Sequence, residues 1–410
     1  MSNIMPVAGT AVAGTAVPCN PAQIKSFRTA TYADIIAANN RTDKHLRFAV
    51  PINNKRMNPY NNNNNNNNSS NSNSNRHNLS NNKIFSKKHI LSNIQEGSKG
   101  SSHSTNKDKY NQIHRYTIIE RKQSTVYKLK LNQNFSKTIL INQFKNIHSK
   151  LSVLDLCCGA GGDLSKWKHI ENLNDILCID HASVSIEKCK EKYAKIFEEC
   201  LTKGKHMFKA DFKVSDCHLT DFYEWLTPKL QFHIVSCQFA AHYAFESEVR
   251  LRGFLKNCSS KLIKGGYVIM TVPNEKYIRY LLQKQQKINE ETNQDKNPVI
   301  IGDKDIWSIE LIKVCEQNRN RDQYGNKYIF YLKDSIDYIP EPYANIELLT
   351  ELSAEYNLEV CYSQTLIALQ ESARKELFYE QLYKTMRCEE LSIEEQHVVD
   401  LYICIVLKKN

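Results

Sequence analysis

Val153-Leu154-Asp155-Leu156-Cys157-Cys158-Gly159-Ala160-Gly161-Gly162-Asp163 sets an apolar run directly before a glycine-rich turn. Leu151 to Leu156 reads as a buried strand, and Leu164 to His169 as the helix that leaves the turn. Glycine permits the tight turn and lets backbone approach a ligand at the carboxyl end of a sheet. Asp180 lies 25 residues beyond Asp155 (180−155), at the end of a second strand from Asp175 to Ile179. A carboxylate there is placed to accept both hydroxyls of a ribose, so the segment reads as a nucleoside site. Nicotinamide enzymes use a similar turn and acid. Asp155 and Asp163 argue the other way, because two acids at the turn would repel a pyrophosphate and accept from the amino group of a methionine moiety.

Outward from the turn, a helix is expected around Asn134 to Ile147 and another from Val184 to Leu201. In the latter, Ile186, Cys189, Tyr193, Phe197 and Cys200 share a face. Lys205 to Ala210, Phe232 to Cys237 and Tyr267 to Thr271 read as further strands. The alternation is a βαβ chain, which implies an α/β fold with a mostly parallel sheet and helices on both faces.

This organisation begins near residue 110. From about Asn53 to Lys107 the chain is dominated by Asn, Ser, Lys and His, with an unbroken run from Asn61 to Asn68. Such a composition cannot bury enough apolar surface to offset its ordering entropy. Residues 1–109 are therefore expected to be a low-complexity, largely disordered arm without chemistry, and 110–410 a single domain. The 410 residues, 41% hydrophobic, suffice for a sizeable core, and the formal charge of +11 suits a polyanionic partner. The 13 cysteines show no C-x-x-C pair, so reduced thiols without disulfides or structural zinc are expected. No signal peptide or membrane-spanning run is evident, and no membrane partner is expected.

Four blocks resemble the messenger RNA cap guanine-N7 methyltransferase family. They are Asn134-Phe135-Ser136-Lys137; the run Gly161-Gly162-Asp163-Leu164-Ser165-Lys166-Trp167-Lys168; Cys237-Gln238-Phe239-Ala240-Ala241-His242-Tyr243-Ala244-Phe245-Glu246 with Gly265-Gly266-Tyr267 and Pro273-Asn274; and Tyr338-Ile339-Pro340-Glu341-Pro342 with Glu394-Glu395 through Tyr402. The resemblance implies a class I S-adenosylmethionine-dependent methyltransferase, Rossmann-like, whose last strand is antiparallel, a role that Leu401 to Leu407 fits. It implies S-adenosylmethionine as cofactor, contacted by Lys137, Cys157, Asp180 on the ribose, Asp211 near the adenine, Gln238 by the methionine end, and Tyr243. Gln133, Asn134, His242, Glu341 and Tyr402 would surround the cap guanine, while Lys166 and Lys192 would face its phosphates. The capped 5′ end of mRNA is the implied partner. The resemblance also implies a nuclear location, with a viral or cytoplasmic setting open; a monomer is expected, while the sequence leaves oligomeric state and a capping-enzyme or activating subunit open.

Three positions depart from the family pattern. Cys157 stands where Gly is usual, Ala160 where Lys is usual, and Gln133 where Asn is usual.

Guanine N7 carries a lone pair and no proton at neutral pH, so in-line attack on a sulfonium methyl needs no general base. Catalysis then consists of positioning, which can supply roughly 7–11 kcal/mol. Glu341, His242 and Tyr402 are the expected catalytic residues in that sense, with the Glu341 carboxylate stabilising positive charge forming on the guanine. Each has a plainer alternative: His242 as a core histidine, Glu341 as surface charge in a loop between two prolines, Tyr402 as core. Lys166 and Lys192 are equally readable as exposed helix lysines. A methyltransferase acting on another RNA, protein or small molecule, and a weakly active cap- or cofactor-binding protein, stay in play beside the cap reading.

Overall fold

The computed structural model describes residues 118–410 apart from 220, 223–225, 293–297, 303–304 and 313–322. The expected N-terminal arm, residues 1–109, lies outside the described residues. In chain order come α1 (Ile118–Gln123), α2 (Tyr127–Gln143), β1 (Leu151–Leu156), α3 (Leu164–Trp167), β2 (Leu173–Asp180), α4 (Ser183–Thr202), β3 (Lys209–Val214) and β4 (Phe232–Gln238). A 3-10 turn (Ala241–Glu246) leads to α5 (Glu248–Ser260), β5 (Leu262–Pro273) and α6 (Glu275–Glu291). Then follow β6 (Ile300–Ile301), β7 (Trp307–Leu311), β8 (Lys327–Leu332), β9 (Ile336–Pro342), α7 (Ile346–Glu355), β10 (Leu358–Thr365), α8 (Leu366–Ala373), α9 (Leu377–Thr385), α10 (Ile393–Asp400) and β11 (Tyr402–Lys409).

Seven strands form one sheet in the order β10-β11-β5-β4-β1-β2-β3. β1 to β5 are parallel neighbours, and β11 runs antiparallel to both β5 and β10. This is the class I methyltransferase arrangement that the resemblance implies. The central strands are near-continuous apolar runs because helices cover both faces. Val153 faces a core with Leu129, Phe135 and Trp167, whereas Leu154 and Leu156 face a second core with Phe254, Leu255 and Leu349. The chain winds one way from β1 to β3 and the other way through β4 and β5. The carboxyl ends of β1 and β4 therefore border the switch-point crevice where ligands bind in such sheets.

The helix expected around Asn134 to Ile147 is α2, which starts earlier, at Tyr127, and ends at Gln143; two larger features also differ from the sequence reading. β3 starts at Lys209 and runs to Val214, pairing Asp175↔Lys209 through Asp180↔Val214, instead of spanning Lys205 to Ala210. The alternation Lys209-Ala210-Asp211-Phe212-Lys213-Val214 is that of an edge strand, which short apolar runs obscure. Because β3 is the edge, Phe197 of α4 keeps ring contact with Tyr193 yet is 43% exposed, while Ile186, Cys189 and Cys200 are buried as expected. The second difference is an antiparallel sheet, β6-β7-β8-β9, inserted between α6 and α7. It places Glu341 inside β9, opposite Tyr328 and 3% exposed, and not in a surface loop. Among the described residues no helix is long and apolar enough to cross a membrane.

Candidate active site

The turn after β1 is a left-handed path: Cys157, Gly159 and Gly161 have φ of 54°, 55° and 70°. At Gly161 a Cβ would meet Leu164 Cδ1 at 2.7 Å and Cys189 Sγ at 2.8 Å, so glycine is needed for the turn to settle on α4. Cys157 adopts the same backbone region with a side chain, at a cost of roughly 1–2 kcal/mol. Its thiol contacts Cys217 and Cys237.

Asp180 ends β2, and both of its oxygens are in use. Gly159 N–H donates to Oδ2 at 2.9 Å and Ala182 N–H to Oδ1 at 2.8 Å. The carboxylate thus fixes the turn's geometry while keeping lone pairs for hydroxyls.

The two acids at the turn, read alike from the sequence, are in different states. Burial, then the neighbouring Asp163 carboxylate, push the Asp155 carboxyl well above its usual range. For Asp163 burial also acts upward, but the Lys137 and Lys166 ammoniums, at 2.7 and 2.8 Å, hold it well below that range. Burial thus disfavours charge on Asp155, whereas two lysines favour it on Asp163. The lysine pair offsets the charge that the sequence reading set against a pyrophosphate. Lys166 is itself lowered to about 8, chiefly by burial and against the pull of Asp163. Its Nζ also donates to Asn134 Oδ1 at 2.8 Å, and Asn134 Nδ2 donates to Lys130 O at 2.8 Å. Asn134 thus orients Lys166. Gln133 and Lys192 are half-buried on α2 and α4, and Lys192 lies close enough to Lys166 to weaken its protonation.

At the end of β4, Gln238 Nε2 donates to Ser236 Oγ and Ile269 O, both at 3.2 Å, while its buried Oε1 has no partner. An orphaned acceptor facing this crevice fits a ligand ammonium. Phe239 follows at φ 60°, its N–H donating to Thr271 Oγ1 at 2.8 Å. Its ring meets Lys137 Nζ at 5.6 Å and Tyr402 edge-on at 4.9 Å. Tyr402, at the start of β11 and 5% exposed, is thereby joined to the turn side of the site.

The family resemblance implied Asp211 near the adenine. In the structure Asp211 pairs with Leu177 in mid-strand, exposed, three positions short of the level of Asp180. The acid past the carboxyl edge is Asp216, whose neighbour Ser215 donates N–H to Asp180 O at 3.0 Å. Burial raises the Asp216 carboxyl, but the His218 N–H and the Arg250 guanidinium lower it overall. The edge-strand alternation ending at Val214 was the signal that would have found it.

Beyond β4 the 3-10 turn meets the second sheet. Tyr328 OH donates to Glu341 Oε2 at 2.9 Å and Tyr243 OH to Oε1 at 3.4 Å. His242 Nε2 stands 3.7 Å from Oε2; the histidine is 2% exposed, and neither ring nitrogen has a hydrogen-bond partner. Burial and Glu341 push the Tyr328 phenol well above its usual value, keeping it a donor. Among the described residues no lysine or arginine pairs with Glu341, so this carboxylate out of water has two tyrosine hydroxyls and, at 3.7 Å, His242. Such an arrangement is costly unless a ligand brings donors or positive charge. Tyr328, in the apolar run Lys327 to Leu332, was missed because only cross-strand pairing puts it opposite Glu341.

With this geometry in place, comparison with known proteins is informative. Residues 93–410 match the model of the mRNA (guanine-N(7))-methyltransferase domain. A Drosophila melanogaster protein named mRNA cap guanine-N(7) methyltransferase is 31% identical over 265 residues, 62% of this chain and 58% of that one. A Lodderomyces elongisporus protein of the same name is 32% identical over 269 residues, 60% of this chain and 46% of that one. The Arabidopsis thaliana mRNA cap guanine-N(7) methyltransferase 1 is 28% identical over 313 residues, 74% and 80% of the two chains. The match spans about half the length of the first two relatives.

Proposed function

The chain belongs to the mRNA (guanine-N(7))-methyltransferase family, and from that premise we propose that it transfers the methyl group of S-adenosylmethionine to N7 of the guanosine cap at the 5′ end of mRNA. The observation that carries the reading is the buried Glu341, held by Tyr243 and Tyr328 beside a histidine with both ring nitrogens unpartnered. The N1–H and N2–H₂ donors of guanine match that carboxylate, and His242 offers a further polar contact. Guanine gains positive charge as N7 is alkylated, so the Glu341 charge favours the transition state over the ground state.

On the other side, Asp180 would receive the ribose hydroxyls, Asp216 the adenine amino group, and Gln238 Oε1 the methionine ammonium. The bound cofactor supplies an electrophilic sulfonium methyl. Lys137 fixes Asp163 and the turn, and Lys166, oriented by Asn134, reaches toward the cap phosphates with Lys192. Tyr402 and Phe239 give flat surfaces between the two halves. Because N7 has no proton to lose, no side chain is asked to act as a base. Capped mRNA as partner, a nuclear location, and action as a monomer with or without an activating subunit extend the same reading; their support is the family alone.

Cys157, in a left-handed conformation that suits glycine, favours one alternative, a weakly active binding protein. Methyl transfer from labelled S-adenosylmethionine to capped and uncapped RNA by the purified chain decides. Product confined to capped RNA and identified as N7-methylguanosine is expected. Transfer to uncapped RNA alone, or binding without turnover, would reject the proposal.

A further inference from the structure

Beneath the glycine turn three cysteines from separate elements converge. Cys158 lies in the turn, Cys178 in β2 opposite Asp155, and Cys189 in α4; their Sγ atoms all lie within 4.8 Å of one another. The convergence is enforced by backbone. Cys158 N–H donates to Ile179 O at 3.1 Å, tying the turn to β2 one residue past Cys178. Gly161, at φ 70°, brings the turn so close that an added Cβ would stand 2.8 Å from Cys189 Sγ. Cys178 and Cys189 are fully buried, whereas Cys158 is half-buried and gives access from the turn.

Metal–sulfur bonds of about 2.3 Å place three sulfurs of a trigonal site about 4 Å apart, a spacing this group reaches with small side-chain adjustments. Among the described residues no His, Asp or Glu joins the group, so it offers three soft ligands and no fourth. Tetrahedral structural zinc sites take four protein ligands, whereas thiolate sets select soft cations such as Cu(I). The Lys192 ammonium lies near Cys189 and offsets part of the thiolate charge.

We propose that Cys158, Cys178 and Cys189 form a three-thiolate site for a soft d10 cation, Cu(I) above all, seated under the glycine turn. Binding forms three metal–sulfur bonds and releases the protons of the thiols, with no change of oxidation state. The ion would clamp the turn, β2 and α4 together. The site underlies the turn of the proposed cofactor site, but its test reads metal binding and does not depend on methyl transfer.

The full chain, reduced and under anaerobic conditions, is titrated with Cu(I) against a chromogenic Cu(I) chelator, and separately with Zn(II). One Cu(I) held per chain is expected, with X-ray absorption reporting three sulfurs at about 2.3 Å. Zn(II) is expected to bind more weakly, with water completing its tetrahedron. Cys189→Ala and Cys158→Ala are each expected to weaken Cu(I) binding by more than about 100-fold. Cys258→Ala, elsewhere in the core, should leave it unchanged. Circular dichroism of each variant establishes that the fold persists, and Cys178→Ala serves should one of the first two not fold. Absence of one-to-one binding, or wild-type affinity in the folded variants, overturns the proposal.

Discussion

Asp163 has two lysine ammoniums within 2.8 Å, whereas Glu341, also buried, has two tyrosine hydroxyls and a histidine 3.7 Å away. The first carboxylate is satisfied by the fold and serves it. The second has no lysine or arginine beside it, and under the proposed function a guanine completes it. Under the proposed function the difference separates a turn side that holds its partner from a Glu341 side that gains most as charge develops on a base.

The strongest attempt to break this contrast is removal of the Glu341 carboxylate. Glu341→Ala is expected to lower kcat/KM for capped RNA by about 10²–10³, and Glu341→Gln to lower kcat while leaving S-adenosylmethionine affinity at the wild-type value. Turnover and cap affinity equal to wild type in both folded variants would make Glu341 ordinary packing.

The turn side is sharpened by comparing two acids. Loss of a charge-assisted hydrogen bond costs about 1.5–3 kcal/mol, so Asp216→Ala should weaken cofactor binding by tenfold or more in calorimetry. Asp211→Ala should change it less than about twofold, as for an exposed residue in mid-strand. The reverse order would return the adenine to Asp211.

Lys166 gives the paired side a pH dependence. Its lowered value of about 8 means it is charged below that pH and neutral above it. The apparent KM for capped RNA is expected to rise as pH passes about 8, by at most about tenfold per unit. Lys166→Arg, charged throughout, should flatten the rise. A KM independent of pH from 7 to 9.5 in the wild type would remove Lys166 from the phosphate path.

The smallest effect is expected at Cys157. Glycine relieves roughly 1–2 kcal/mol of left-handed strain but adds about 0.5–1 kcal/mol of unfolded-chain entropy and loses the thiol contacts. Cys157→Gly should therefore leave Tm nearly unchanged and keep or improve cofactor affinity. A folded variant that no longer binds S-adenosylmethionine would show that the thiol itself is part of the site.

What the sequence determined by itself is local and periodic. The apolar runs of β1, β2, β4 and β5, the turn between Leu156 and Leu164, and Asp180 at the end of β2 follow from burial patterning and glycine conformation, both carried by neighbouring residues. The inserted sheet was not legible, because a two-residue β6 and cross-strand partners distant in the chain leave no period to read. Register decided the rest. A strand ending at Val214 instead of Ala210 sets Asp211 in mid-strand and Asp216 past the carboxyl edge, since one strand's level is set only by pairing with another. The protonation of Asp155, the lysine clamp on Asp163 and the meeting of Tyr243, Tyr328 and Glu341 depend likewise on distance and burial. Those exist only once the chain is folded.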